Sequence, residues 1–163
     1  MPIKSYVMGP GKFTLGAAPL DVSCQVTTLA VNPTENVTTE DAVHVLCGET
    51  LASADTVDYT YTVSGTVLQD LAVGGVVDYT WTNKGTNVPF NFVPNTAAAR
   101  GVTGTCRVIP LTIGGEVTQR PTSDFEFVII GTPVFGVGAL EDPEADPEAD
   151  TESADELLED ASA

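Results

Sequence analysis

The stretch Val57-Asp-Tyr-Thr-Tyr-Thr-Val63 decides the fold class. Its apolar side chains fall at every second position, and the positions between them hold Asp or Thr. A period of two is typical of a β-strand with one buried face, because successive side chains of a strand point to opposite faces of a sheet. The sequence therefore predicts a strand here, within a mainly β protein.

Similar alternation recurs on both sides of this strand. Further strands are predicted at 12–15, 21–31, 42–47, 87–92, 102–113 and 125–130. A phase change at Thr27-Thr28 indicates a bulge in the second of them. Residues 32–36 are predicted to form a loop from their composition, and residues 48–55 a connection. Cys24 and Cys47 occupy alternating apolar positions, so both are expected to be buried.

Residues 66–85 support two interpretations. Thr66-Val-Leu-Gln69 fits a capping box, and Gly85 fits the end of a helix. Val77, Tyr79 and Trp81 instead alternate with polar residues, as in a strand. The pair Gly74-Gly75 would cost about 2 kcal/mol inside a helix. Local propensity leaves both interpretations open.

Charge divides the chain into a body and an acidic tail. The net charge is −17; residues 141–163 hold 11 Asp and Glu and no Lys or Arg, while residues 1–140 hold 12 acidic and 6 basic residues. Such a tail buries too little apolar surface to fold. The predicted organisation is an extended N-terminal arm with a short strand at 1–20, a β-sandwich domain at 21–135 and a disordered acidic tail at 136–163.

The sequence offers no pattern for catalysis or for a cofactor. His44 is the single histidine, and the three cysteines lack metal-ligand spacing. Phosphate-binding glycine motifs are also absent from the sequence. We therefore expect no enzyme activity, no cofactor and no metal site. Eight aromatic residues at alternating positions are expected to fill the core instead of forming a binding platform: Tyr59, Tyr61, Tyr79, Trp81, Phe90, Phe92, Phe125 and Phe127.

Composition also restricts the partners. The six Lys and Arg residues are scattered, which disfavours tight binding of nucleic acid or of an anionic membrane. The N-terminal residues lack the apolar core of a signal peptide, and no apolar run approaches the ~20 residues of a membrane span. The chain is therefore expected to be made in a cytoplasm.

Several segments together resemble a known family. They are Asn83-Lys-Gly-Thr-Asn-Val-Pro-Phe-Asn-Phe-Val-Pro-Asn95, Val108-Ile-Pro-Leu-Thr-Ile-Gly-Gly-Glu-Val117, Arg120-Pro-Thr-Ser-Asp-Phe-Glu-Phe127, Cys47-Gly-Glu49 and Gln69-Asp70. In this order and spacing, they resemble the major tail tube proteins of phages with long non-contractile tails, especially phages of actinobacterial hosts. The resemblance covers about residues 13–135.

The resemblance implies a mainly β, sandwich or barrel-like tail tube subunit with one short helix, at about residues 74–83. It implies rings of six subunits that stack into a tube around a tape measure protein, with tail initiation and terminator proteins as further partners. DNA would pass through the lumen without specific binding, and the protein would reside in the virion. The residues that face the lumen are expected to carry a net negative charge.

Assembly is expected to depend on open sheet edges, on the N-terminal arm and on the predicted loop at 33–41. Candidate assembly residues are Lys4, Lys12, Glu35, Asn36, Glu40, Asp41, Arg100 and Arg120. Deletion of residues 1–11 is predicted to leave folded monomers that do not polymerise. The alternative function is a β-sandwich module that decorates a virion or, as an Ig-like domain, binds a receptor.

Overall fold

A computed structural model describes residues 4–137 of the chain, and these form mainly β structure with one short helix. The elements are β1 Lys12–Leu15, β2 Leu20–Asp21, β3 Val26–Glu40, β4 Val43–His44, β5 Thr50–Leu51, β6 Ala54–Leu68, α1 Val76–Thr82, β7 Asn87–Asn95, β8 Arg100–Arg107 and β9 Thr122–Val137. The acidic tail predicted to be disordered falls almost wholly outside the described residues.

Seven of the strands form one antiparallel sheet in the order β2-β1-β7-β8-β9-β6-β3. The longest ladder joins β3 to β6, from Val26 opposite Val67 to Glu40 opposite Ala54. By contrast, β6 pairs with β9 only over Tyr61–Leu68. The remaining length of β6 therefore extends beyond the central sheet with β3 as its partner.

The sheet curls around an apolar core. Phe13 of β1 stacks on Phe125 of β9 with ring centroids 6.3 Å apart, although β7 and β8 separate β1 from β9 along the sheet. Phe127 packs beside Phe125 at 4.9 Å. Alternation buries Phe125, Phe127 and Ile129 on the inner face of β9, as the sequence predicted. Burial of each such side chain contributes roughly 1.5–3 kcal/mol.

The predicted bulge at Thr27-Thr28 is confirmed, because the β3–β6 register shifts between Val26 and Thr28. Gly65 lies opposite Leu29 next to this bulge. A Cβ atom at Gly65 would collide with the carbonyl oxygen of Thr28. The bulge therefore requires a residue without a side chain on the facing strand.

The ambiguous segment resolves as a helix, so the alternating Val77, Tyr79 and Trp81 do not form a strand. Gly75 is the N-cap residue of α1, so the two glycines precede the helix and do not weaken its interior. The buried Thr80 hydroxyl accepts a hydrogen bond from the Leu111 N–H at 3.3 Å. The Trp81 indole N–H donates to the Leu111 carbonyl at 2.9 Å. These tertiary contacts fix the helix where propensity was undecided.

The capping box predicted at Thr66–Gln69 is wrong, because Thr66 lies within β6. Its hydroxyl donates to Asp124 of β9 at 2.6 Å instead of capping a helix. The end of the helix also differs from the prediction: Asn83 is the C-cap residue, and Gly85 follows it with a φ of 78°.

Two predicted strands are shorter than expected. The strand at 102–113 ends at Arg107, and Pro110, which lacks an N–H, lies in the irregular segment beyond it. The strand predicted from Asp21 is interrupted by a turn in which the Gln25 N–H donates to the Val22 carbonyl at 3.0 Å. Cys24 lies in this turn and is exposed, so its predicted burial is wrong.

The loop predicted at 32–36 is also wrong, because β3 runs without interruption through Pro33 to Glu40. An edge strand tolerates proline, because the missing N–H is not needed on its unpaired side. The strand predicted at 42–47 is reduced to β4, and the adjacent connection contains β5. Cys47 lies in the turn between them and is exposed, contrary to its predicted burial.

Candidate functional site: a projecting hairpin and an open sheet edge

The most prominent surface feature is the projecting hairpin, which we define as residues 32–60. Its two long strands continue the β3–β6 ladder for nine residues of β3, or roughly 30 Å. The tip is a smaller antiparallel pair in which Val43 faces Leu51 and His44 faces Thr50. Every residue from 32 to 60 is exposed. The hairpin therefore receives no cover from the described part of its own chain.

The two faces of the hairpin differ in polarity. Val57 and Tyr59 share a face with the buried Val63, because they lie at alternate positions of β6. Their cross-strand partners on this face are Val37 and Glu35. We call this the inner face of the hairpin, since it continues the core side of the sheet.

The opposite face is polar and hydrogen-bonded to itself. The Asn36 amide donates to the Thr60 hydroxyl at 3.2 Å, and Thr38 faces Thr56 across the ladder. Water satisfies such side chains without a partner protein. The inner face, by contrast, leaves branched and aromatic side chains in water, which is typical of a surface that is covered in an assembly.

Backbone groups are also left open along this part of the sheet. Among residues 4–137, β3 pairs with β6 alone, so the outer edge of β3 has no strand partner. The β6 edge is likewise unpaired from Ala54 to Thr60, beyond its last β9 partner at Tyr61. Long unpaired edges readily accept a strand from another chain.

Charge is distributed unevenly between the hairpin and the rest of the protein. The hairpin contains six acidic residues and no Lys or Arg. The rest of residues 1–140 contains six acidic and six basic residues, so the whole net charge of this part resides on the hairpin. His44 at the tip accompanies these carboxylates, and its Nδ1 lies 2.9 Å from the Thr50 hydroxyl.

Four of the sequence-predicted assembly residues come together on the hairpin. Glu35, Asn36 and Glu40 lie on β3, and Asp41 follows directly at the start of the tip. All four are exposed. The segment predicted to be a free loop is therefore part of an ordered strand, β3, whose side chains point alternately to the two faces of the hairpin.

The basic candidates occupy both ends of the sheet. Lys12 opens β1 opposite Val93, and Arg100 opens β8 opposite Asn95, at the end from which the hairpin projects. Lys4 belongs to the N-terminal segment beside them. Arg120 is exposed just before β9, at the other end. The structure therefore places Lys12 and Arg100 at one end of the sheet and Arg120 at the other, and Lys4 precedes the residue Val7 that Asn95 holds.

The N-terminal segment is attached to its own chain. The Gly9 N–H donates to the Pro94 carbonyl at 2.8 Å, and the Thr96 N–H donates to the Pro10 carbonyl at 2.9 Å. The Asn95 amide holds the Val7 carbonyl at 2.8 Å. The N-terminal segment was predicted to be free to reach a neighbour, but its residues 7–10 are docked on the end of β7. The side chains of Tyr6, Val7 and Met8 are nevertheless exposed.

Aromatic side chains follow the core prediction in part. Phe90, Phe92, Phe125 and Phe127 are buried, whereas Tyr59 and Trp81 are about half exposed.

Sequence reasoning missed the apolar inner face of the hairpin, although a signal was present. Val31 and Val37 continue the phase of Leu29 across Pro33 and Glu35, and the proline obscured that alternation.

The described residues provide little for small-molecule chemistry. A cavity of about 10 Å³ between Phe13, Val67 and Phe127 has room for one water at most. No group of three potential metal ligands occurs within residues 4–137. In the same part of the chain, none of the helices has the length and apolar character needed to cross a bilayer.

Comparison with known proteins found no match: no protein-family model matches the chain, and no curated protein matches it.

Proposed function

We propose that this protein is a structural subunit that self-assembles into stacked rings and forms the tube of a phage tail. The observation that carries the proposal is the projecting hairpin, whose apolar inner face and open edges have no partner among residues 4–137. A single two-stranded hairpin is marginally stable in water on its own. Contact with further copies of the chain covers the apolar face and satisfies the exposed backbone groups.

The fold is compatible with this role. The curled sheet, with Phe13 stacked on Phe125, supports the sandwich or barrel-like tail tube architecture that the sequence resemblance implies. The single helix at Val76–Thr82 lies within the range that the resemblance implied. The number of six subunits in a ring, the tape measure protein and the initiation and terminator proteins come from the resemblance alone.

Electrostatics suits a conduit for DNA ejection. The described residues contain more acidic than basic side chains, and like charge repels phosphate within a Debye length of roughly 8–10 Å. A lumen lined mainly by carboxylates would let DNA slide without adhering. We propose that the faces that line the tube carry net negative charge and that the protein resides in the virion without enzymatic activity.

Negative-stain electron microscopy of the purified full chain over a range of concentrations tests the proposal. Hollow tubes or stacked rings are the expected result. A second test replaces residues 41–53 with a short Gly-containing turn, which removes the tip of the hairpin and keeps the β3–β6 ladder. This variant should fold and form fewer or shorter tubes.

The alternative, a module that decorates a virion or binds a receptor, gives a different result. It predicts small particles, monomeric or trimeric, at every concentration. Sedimentation of the wild-type chain as a single small species, from micromolar to millimolar concentration, would overturn the tube proposal.

A further inference from the structure

We infer that the inner face of the hairpin binds a specific surface on a second copy of this chain, which we call the cationic end patch. The patch consists of Lys4, Val7, Met8, Arg100 and Phe135. The inference rests on the proposed self-assembly and extends it by naming the surface that receives the hairpin. The contact joins two different surfaces, so each copy both donates a hairpin and offers a patch.

Hydrogen bonds and strand register assemble the patch from three segments. Asn95 holds the Val7 carbonyl through its amide and pairs across the ladder with Arg100. The Arg100 guanidinium carbon lies 4.6 Å from the centre of the Phe135 ring. These contacts place the N-terminal segment, the start of β8 and the end of β9 at one end of the sheet.

The patch is apolar and positively charged. Phe135 is 65% exposed even though Arg100 covers one side of its ring. Val7 and Met8 add exposed apolar surface at the same end of the sheet, where Asn95 holds the Val7 carbonyl. Lys4 is exposed in the same segment. The acidic residues of β9, Asp124 and Glu126, lie opposite Thr66 and Ser64, well before the strand reaches this end.

The inner face of the hairpin has the matching composition. Val37, Val57 and Tyr59 provide the apolar surface, and Glu35 and Asp55 place carboxylates on the same face by alternation. Two carboxylates on one surface therefore correspond to two exposed cations, Lys4 and Arg100, on the other. Complementary charge of this kind fixes the register of an interface and suppresses wrong pairings.

The overall distribution of charge favours a second copy as the occupant. All six Lys and Arg residues lie outside the hairpin, which contains six acidic residues. Two hairpins placed face to face would bring like charges together, so a symmetric hairpin–hairpin contact is disfavoured. A hairpin against a patch avoids this repulsion and leaves the next patch and hairpin available, as a growing polymer requires.

The acidic tail is the competing occupant of the patch. It begins just beyond Val137, which pairs with Arg100, and it carries 11 acidic residues. The tail has charge but few apolar side chains to set against Phe135, Val7 and Met8. The hairpin offers both, and for this reason we assign the patch to the hairpin.

Charge reversal on each surface tests the assignment in the full chain. One variant reverses the hairpin with Glu35→Lys and Asp55→Lys, and the other reverses the patch with Lys4→Glu and Arg100→Glu. Each variant alone would place like charges at every contact, so we expect association, measured by sedimentation and light scattering, to weaken about tenfold or more. A 1:1 mixture should associate again, because each variant's hairpin then faces an opposite charge on the other's patch.

Matched controls separate this contact from a general effect of net charge. The control for the hairpin is Thr56→Lys with Asp58→Lys, which makes a similar change of charge on the polar face. The control for the patch is Lys84→Glu with Arg107→Glu; both residues are exposed, and Arg107 lies opposite Asn87 at the other end of the sheet. Both controls should associate within about threefold of the wild type, as surface substitutions outside an interface do. Failure of the mixture to recover, or equal loss in the controls, overturns the inference.

Removal of residues 141–163 decides between the hairpin and the tail. If the hairpin occupies the patch, the truncated chain retains the same dependence on charge reversal and on mixing. If the tail occupies it, patch reversal has no effect on association of the truncated chain. A wild-type chain that never associates overturns the proposed function itself, whereas tubes that form equally from both reversed variants overturn the patch assignment alone.

Discussion

Val37 lies directly opposite Val57 across the projecting hairpin, and the two side chains are 56% and 50% exposed. Directly opposed β-branched residues stabilise a sheet when they also pack against a covering layer. Here no such layer exists within residues 4–137. The pair therefore marks the centre of the surface that we propose is covered on assembly.

Replacement of this pair separates assembly from folding. We expect the double variant Val37→Thr and Val57→Thr to fold with a free energy of unfolding within about 1 kcal/mol of the wild type, because both sites are half exposed. Association should weaken strongly, because hydroxyl groups would be buried without partners. Urea unfolding and sedimentation measure the two quantities.

The pair Thr38 and Thr56, on the polar face of the same ladder, provides the matched control. Replacement of both by Ser should change neither quantity appreciably. Equal association of the valine variant and the wild type would show that the inner face is not an assembly surface.

Gly65 provides a test of the fold itself. The variant Gly65→Ala should lose about 1–3 kcal/mol of stability, because its Cβ would collide with the Thr28 carbonyl at the bulge. Gly136→Ala is the control, since a Cβ there meets no atom within 4 Å. Urea denaturation of both variants checks the difference. A Gly65→Ala chain as stable as Gly136→Ala would contradict the close approach of β3 and β6.

Cys106 should make the protein less stable at alkaline pH. Burial raises the pKa of its thiol to about 12 from an ordinary value of 9.0. The unfolded chain therefore releases this proton first as pH rises, and the stability that is present below pH 9 falls between pH 9 and 12. The slope from this group is at most about 1.4 kcal/mol per pH unit.

The variant Cys106→Ala isolates that contribution. It should be less stable overall because a buried side chain is truncated, but its stability should decline less steeply above pH 9. Tyr79 remains in both proteins; its pKa is raised by burial and, in the wild type, also by the charge on ionised Cys106. Identical slopes for the two proteins, measured by urea denaturation from pH 8 to 11, would contradict the burial of a neutral thiol.

We expect the N-terminal segment to contribute both to stability and to assembly, and deletions can separate the two contributions. Deletion of residues 1–6 removes Lys4 and Tyr6 but keeps the bonds from Asn95 and Thr96 to residues 7–10. This variant should fold normally and polymerise less. Deletion of residues 1–11 also removes those bonds, so it should lower the melting temperature as well. Calorimetry and electron microscopy report the two effects, and normal tubes from both deletions would exclude the segment from assembly.

The sequence predicted the fold where alternation was regular. Lys12–Leu15 and the strands around Val57, Phe90 and Phe127 follow from a period of two, and the phase change at Thr27-Thr28 revealed the bulge. Composition misled at Pro33, because a proline that ends a central strand is tolerated on an edge. Propensity could not decide the helix, since its contacts with Leu111 come from residues 30 positions away.

The candidate site was predictable only in part. Glu35, Glu40 and Asp41 were identified as assembly residues, yet they were assigned to a loop. Their exposure on an ordered ladder arises because β6 stops pairing with β9 at Tyr61 and continues on β3 alone, which cannot be read from the sequence of either strand. Phe135 could not be predicted as a surface residue either, because the alternation of apolar residues in β9 ends at Gly131, before Phe135 is reached.

The pair Tyr61 and Ile129 is the last point at which the strand of the hairpin is hydrogen-bonded to β9. Beyond it, β6 and β9 diverge, and Gly131 adopts a φ of 76° just after the separation. If copies are joined through their hairpins, each contact lies outside the part of the sheet that packs on the buried phenylalanines. Bending of a long filament could then be taken up in the two-stranded hairpins, while the core of each subunit keeps its packing.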